Sequence, residues 1–479
     1  FAMVIAIVIV LAGLISIPIL PVAEFPEISP PQVRVSTNFP GANAETLRDS
    51  VAGPIEQRVN GVEGMIYMQS RNANDGSYSL DITFDFGIDP DQAQVNVQNL
   101  VSQVEPILPE EVSRQGISVK KQSTDMLMVV NVYSPNGTLT PEFISNYSSI
   151  NVADIIARVN GVAEATIMGA LDYGMRVWLD PDRMAALGFT TDDVVAAIRE
   201  QNVNVAAGQI GGAPVPEGQQ FQYTLTAQGR LSRVEEFERI VIRAGGGARV
   251  VYLSDVARIE LGSQTYSWFG ELDGQPSAVI AIYKLPDANA LEVGNNIGEV
   301  MESLSETFPD DLEFNILYDT TRYISISINQ VITTLLQAVA LVIFVVFLFL
   351  GNWRATIIPA VTIPVALIGT FAFMLATGMS INTVSLFGLI LAIGVVVDDA
   401  IVVIENTERH VGNGLSGKEA ALQTMREVSG PVVATTLVLL AVFVPVTLMP
   451  GISGALYRQF AMTISVAVVI SSINALTLS

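Results

Sequence analysis

Two adjacent carboxylates, Asp398 and Asp399, stand in the middle of an apolar stretch, GLILAIGVVVDDAIVVIENTE, at 388–408. Before them, from Arg354, 43 residues pass without a charge. An acid at mid-membrane costs roughly 2.5–3.5 kcal/mol on insertion scales, and a second beside it adds repulsion. Such acids face a bundle interior or a wet cavity and mark ion or proton pathways. Adjacent helix positions differ by about 100°, so the two carboxylates leave on neighbouring sectors of one side. Gly388 and Ala392 lie on the Asp399 side, and Gly394 lies four residues before Asp398. Small residues there invite close approach of another helix. The chemistry expected is proton or cation handling coupled to transport, the pair titrating as a unit. The plainer alternatives are an acid snorkelling at a helix end and a buried ion pair that is only structural.

Two further residues sit nearby. Glu405, seven residues after Asp398, shares its side about 10 Å further along; it either extends a proton path or is a membrane-end acid. His410, the chain's single histidine, reads as a surface residue in a polar loop, and one histidine makes no metal site. The sequence carries no nucleophile elbow, phosphate loop or metal-ligand cluster, so neither an enzyme nor a bound cofactor is expected. Cysteine is absent, which excludes disulfides and thiolate metal sites.

The elements that must hold the acids are membrane spans. In 479 residues only 15% are charged, and the mean hydropathy is +0.47, too apolar for a soluble protein of this size. Spans near the 20 residues a bilayer needs are expected at 1–20, 330–350, 356–376, 383–404, 431–449 and 460–479. The first could instead be a signal-peptide core. Pro359, Pro364 and Pro445 imply kinks. Because the chain starts with Phe1 inside one apolar run and stops inside another, it is expected to be an internal piece of a longer membrane protein. Only five basic and six acidic residues follow Ser327, so nearly all of the net charge of −23 lies before it. That excludes a nucleic-acid partner, which needs a basic surface. With the acidic block outside, the inner loops hold Arg354, Arg409, Lys418 and Arg426 and the outer ones only Arg458, as the positive-inside rule requires.

Between the first span and the rest, 24–322 reads as soluble α/β with an internal repeat. Arg58-Val59-Asn60-Gly61-Val62 returns as Arg158-Val159-Asn160-Gly161-Val162. In each copy a strand (32–39, 127–134) leads to a helix (42–59, 141–159) ended by Asn-Gly. Two strands follow (65–69 and 78–86; 165–168 and 175–179), then Asp-Pro-Asp and another helix. The order β-α-β-β-α is the split-βαβ or ferredoxin-like plan. Duplication alone also fits two stable sandwiches that merely hold something up. Beyond it come a helix at 190–202, a Gly/Pro-rich arm at 203–220, strands at 223–227 and 249–253, and a final strand-helix-strand unit at 278–317.

Taken together these residues resemble the N-terminal half of a multidrug efflux pump of the resistance-nodulation-division superfamily, hydrophobe/amphiphile branch. The marks are Leu20-Pro21-Val22, Pro40-Gly41-Ala42, Pro54-Ile55-Glu56, Asn60-Gly61-Val62, Ala206-Ala207-Gly208-Gln209, Asp319-Thr320-Thr321, Asp398-Asp399-Ala400-Ile401-Val402-Val403 with Glu405-Asn406, and Tyr457-Arg458-Gln459-Phe460. The resemblance implies an α-helical polytopic membrane bundle with extracytoplasmic porter subdomains at 21–125 and at 126–181 with 263–325, and a docking subdomain at 182–262. Residues 1–20 would be the first membrane helix and 326–479 helices two to six. It further implies a proton-driven homotrimer in a Gram-negative inner membrane, exporting small amphiphilic drugs with a periplasmic adaptor and an outer-membrane channel, and no cofactor. The 203–220 arm would reach into the adjacent protomer. A lysine and polar partners for Asp398 and Asp399 would come from the family's second half. Met126, Val129, Met168, Trp268 and Tyr318 match positions that line the drug pocket; Met126 and Met168 replace phenylalanine of several relatives, and methionine suits adaptable apolar sites.

Two rivals remain. The heavy-metal branch of the same superfamily would be expected to show one acid in the central span and a methionine ladder, whereas the 14 methionines here are scattered. A protein-export auxiliary would use the α/β units to bind polypeptide, and the vicinal acids count against it.

Overall fold

The computed structural model describes residues 2–26, 30–122, 126–204, 208–210, 222–225, 229–243, 250–266, 268–285 and 288–477. Period-two alternation builds the first sheet. Its strand β1 (Gln32–Asn38) buries Val33 and Val35 and turns Arg34 and Ser36 the other way. A helical stretch at 44–59 leads to β2 (Met65–Asn72) and β3 (Ser77–Phe84); helix Pro90–Ser102 leads on to β4 (Ser118–Gln122). The strands are antiparallel in the order β2-β3-β1-β4. Leu47, Val51, Ile55, Val97 and Val101 cover one face. The other face stays polar.

The second sheet starts the same way, with β5 (Met126–Tyr133), helix Pro141–Ser148 and its continuation to Ile156, and β6 (Val162–Met168). Gly61 and Gly161 of the repeated pentapeptide both have positive φ, +88° and +89°. At Gly161 a Cβ would also sit 2.4 Å from Val293 Cγ2, so only glycine fits. Here the second copy departs from the expected order. The next strand, β7 (Tyr173–Leu179), does not join this sheet; it pairs with β8 (Ala257–Ser263) over a separate core of Met184, Phe189, Val194 and Phe237. The place of β3 is taken by β9 (Gln275–Lys284), followed by helix Ala290–Ser305 and β10 (Glu313–Asp319). The order β6-β9-β5-β10 then repeats that of the first sheet. Strand propensity told that 175–179 is extended but not which edge it would join. The Asp-Pro-Asp caps do repeat: Asp89 accepts from the Asp91 amide, and Asp180 from those of Asp182 and Arg183.

Of the arm at 203–220, residues 205–207 and 211–220 lie outside the described residues. Gln209–Ile210 pairs with Tyr223–Thr224 in a short exposed ladder; 226–227 and 249 of the neighbouring expected strands are also outside.

Among the described residues six apolar helices form the bundle: α1 (Ala2–Ser16), α2 (Thr320–Leu350), α3 (Trp353–Ala376), α4 (Thr383–Gly412), α5 (Gly417–Phe443) and α6 (Gly451–Thr477). The last five are long and apolar enough to cross a membrane. Pro359, Pro364 and Pro431 lie inside helices, and at Pro445 α5 tightens into a 3₁₀ turn, Val444–Leu448. The polar segment before 431 is not a loop. Ser416 and Glu419 form a capping box that starts α5 at Gly417, leaving a short turn after α4. His410 accordingly sits in the last turn of α4, 3.1 Å from Glu427, rather than in a loop.

Two joints fix the bundle to the α/β units. Strand β10 passes into α2 without a linker: Asp319 caps the helix, and Thr320 Oγ1 donates to the Leu127 carbonyl at 2.7 Å. The start of α4 is pinned where Val22 bridges Ile381 and Thr383 donates to the Glu24 carbonyl through its amide and its hydroxyl. Asn382, buried, caps α4 and reaches Gln459 of α6 at 2.5 Å. One apolar core accordingly runs from the second sheet into the bundle.

Candidate functional site

The acids sit at the middle of α4, which touches α2, α3, α5 and α6. Ala392, Val396 and Ala400 are fully buried, and a Cβ on Gly388 would come within 3.2 Å of the Phe460 carbonyl, so small residues let α6 close on that side. Asp399 lies at the edge of this contact, half-buried. Its Oδ2 accepts from Ser472 Oγ of α6 at 2.9 Å. Ser472 in turn touches Thr436 Oγ1 of α5. Beside it on α6, Ser471 Oγ donates to the Val396 carbonyl at 2.8 Å and ties α6 to α4.

Asp398 is placed differently. It belongs to an open stripe of α4 made by Phe387, Leu391, Gly394, Asp398, Val402 and Glu405, spaced three and four apart. Nothing lies within 4 Å of a Cβ on Gly394. The two carboxylates therefore divide, one engaged by α6 and one open. Glu405 falls on the Asp398 side, as the spacing requires.

The second constellation is a face of the second sheet. Its helices cover Met128, Val130, Ile280 and Ile282. On the opposite face, one line crosses β6, β9, β5 and β10: Thr166, Ala281, Val129 and Tyr318. Met168 lies two pairs further along β6, opposite Val279. Met126 pairs with Tyr283 past an irregularity in the pairing of β5 with β9, and Tyr318 pairs with Val129 past another in β10. Such slips re-aim side chains that strict alternation would place otherwise. Four of the five expected pocket residues thus belong to one open face.

The fifth, Trp268, comes from the segment after β8. A Cβ on Gly169, the residue after Met168, would be 3.3 Å from Trp268 Cβ, so Trp268 comes close to the end of β6. Trp268 and Met168, 56% and 45% exposed, line a cavity of about 1060 Å³ between the first sheet and the later units. Its wall is not the apolar one expected: Asn38, Asn74, Asp75, Arg176 and Gln264 also contribute. Trp268 bonds the Asp75 carboxylate, which is held below its usual range chiefly by Ser77. Met126, Val129 and Tyr318 do not line this cavity.

Met168 also borders a smaller cavity of about 230 Å³, where the polar face of the first sheet meets the open face of the second. Arg34, Ser118 and Lys120 face Glu164, Thr166 and Tyr283 there. Arg34 is held bidentately by Asp81 at 2.6 and 2.9 Å. These bonds lead in raising its pKa, and Glu164 and Tyr283 add their field. Sequence reasoning missed this wall. The available signal was the outward position of Arg34 and Lys120, which pair in register on β1 and β4. It missed Ser471, Ser472 and Thr436 as well, although Ser-Ser-Ile-Asn is a polar interruption of an apolar helix.

The AcrB/AcrD/AcrF family profile matches residues 1–479. The chain is 44% identical over 480 residues to the multidrug export protein AcrF of Escherichia coli, covering 100% of this chain and 46% of that protein. It is 43% identical over 480 residues to the multidrug resistance protein MdtF of the same species, again 100% and 46%. To the toluene efflux pump membrane transporter TtgB of Pseudomonas putida it is 41% identical over 477 residues, 99% of this chain and 45% of that protein. The chain thus spans about half the length of the curated relatives it matches. With a matching profile end to end and the paired acids at the centre of a membrane helix, the chain belongs to the AcrB/AcrD/AcrF family of resistance-nodulation-division proteins.

Proposed function

We propose that this chain forms the first half of a proton-driven pump that exports hydrophobic and amphiphilic compounds, a transporter and not an enzyme. The observation that carries the reading is the pair Asp398 and Asp399 at mid-helix, one carboxylate bonded to α6 and the other open. Proton binding at such a pair changes charge at a helix contact, which is what a transport cycle needs. The names of the relatives, a multidrug export protein and a toluene efflux pump, point to the cargo class. On this reading the α/β units at 21–125 and at 126–181 with 263–325 are ferredoxin-like porter subdomains outside the inner membrane. Residues 182–262 form a docking subdomain, whose pairing of β7 with β8 draws 173–179 into it. The pump is a homotrimer whose 203–220 arm reaches the neighbour, and it works with a periplasmic adaptor and an outer-membrane channel. Met126, Val129, Met168, Trp268 and Tyr318 contact the cargo.

The test is reconstitution of the full-length pump in vesicles. An imposed pH gradient alone should drive movement of a fluorescent amphiphile, and a protonophore should abolish it. Movement that persists after the gradient is dissipated would remove proton coupling from the reading.

A further inference from the structure

Four oxygens run in line across three helices: Asp399 Oδ2, Ser472 Oγ, Thr436 Oγ1 and the Val432 carbonyl. Ser472 Oγ is 2.9 Å from Asp399, Thr436 Oγ1 is 2.8 Å from the Val432 oxygen, and the two hydroxyls touch each other. The line holds three contacts, and each hydroxyl owns a single proton. When Asp399 is ionised, only two protons are available, and one contact must face acceptor to acceptor. When the carboxyl is protonated there are three. Asp399 then donates to Ser472, Ser472 to Thr436, and Thr436 to Val432, and every contact is filled.

We propose that Thr436 is a positioning residue for the proton on Asp399, acting through Ser472. Loss of that proton reverses the line. Ser472 turns its hydrogen to the carboxylate, Thr436 turns its hydrogen to Ser472, and the Val432 carbonyl loses the Thr436 hydroxyl while keeping that of Thr435. No covalent bond of either hydroxyl changes; only the carboxyl proton leaves. The reversal reports the charge of α4 to α5 and α6 together, at a level where those helices offer no other ionisable group among the described residues. The nearest are Glu427, nine residues before Thr436, and Arg458, fourteen before Ser472. On α2 and α3, Arg322 and Arg354 stand at the helix starts. Asp398 is the charge that acts on Asp399 directly.

The inference rests on the relay reading above, and its test separates the two. In the full-length pump the carboxyl stretch of Asp399 is identified by infrared difference spectroscopy as the band lost in Asp399→Asn, and its amplitude is followed with pH. Thr436→Val keeps the shape and removes the hydroxyl. It should lower the protonated fraction at a fixed pH on the falling limb by about three- to tenfold, the worth of one hydrogen bond, and should displace the pH profile of efflux to match. Thr436→Ser should restore both. Ser472→Ala should shift the band at least as far as Thr436→Val. If Thr436→Val trimers titrate as the wild type does while Asp399→Asn abolishes efflux, the relay stands and Thr436 has no part in it. If Asp399→Asn pumps normally, the relay reading falls instead.

Discussion

At the scale of the residue, Met168 occupies the most informative position in the α/β part. It lies at the end of β6, close to Trp268, and borders both cavities between the sheets. A flexible thioether there can meet ligands of different shape, whereas a residue that only packs would matter equally for all. Met168→Ala in the full-length pump should change relative resistance among amphiphilic drugs by about three- to tenfold, the scale of a side-chain truncation at a ligand contact. Resistance that fell in parallel for every drug, in step with protein level, would make the residue merely structural. The acids were legible in the sequence because a charge in an apolar helix has a large local cost. Their hydroxyl partners were not. Serine and threonine commonly bond their own helix four residues back, as Thr436 also does, so their type does not announce a contact across helices.

At the scale of the element, the joints decide what can move. The long helix α2 grows directly from β10, so a tilt of the bundle reaches the second sheet without a flexible link. The far end of that sheet is closed by Asp311, which has φ +64° and gathers the turn after β5. It accepts from Ser134 Oγ, from the Asn136 amide and side chain, and from the Thr138 amide and hydroxyl. Bonds from the Ser134 and Thr138 side chains hold its carboxyl well below the usual range. Depressed in the folded state, such a group stabilises above its unfolded pKa of about 4 and loses that contribution as pH falls toward the folded value. Hydrogen exchange at the Asn136 and Thr138 amides should therefore stay slow at neutral pH in the wild type. In Asp311→Ala it should be about tenfold faster, the loss of roughly one net hydrogen bond's protection. Equal exchange in both proteins would show that the turn holds without the clamp. This scale was only half readable beforehand. Alternation and Asn-Gly caps marked most strands and turns. The exchange of β7 for β9, and the irregularities beside Met126 and Tyr318, depend on pairing across long sequence separations, where local pattern is silent.

At the scale of the whole molecule, charge and hydropathy divide the chain into an acidic α/β part and an apolar bundle with few charges of either sign. Arg354, Arg409, Lys418 and Arg426 gather at the ends of α3, α4 and α5 remote from the α/β units. By the positive-inside rule this arrangement supports the proposal that the α/β part lies outside. Single cysteines at Ser303, on helix Ala290–Ser305, and at Asn413, in the turn between α4 and α5, should then label from opposite sides of the membrane. Labelling of both by an impermeant reagent in intact cells would overturn the orientation. The central claim is that the two acids are the proton relay of an efflux pump, and the most direct measurement is proton-gradient-driven drug efflux by the full-length single variants Asp398→Asn and Asp399→Asn, with trimer content and drug binding measured alongside. Each variant should assemble and bind drug as the wild type does and lose efflux, and near-normal efflux from either would contradict an obligatory role for that carboxylate.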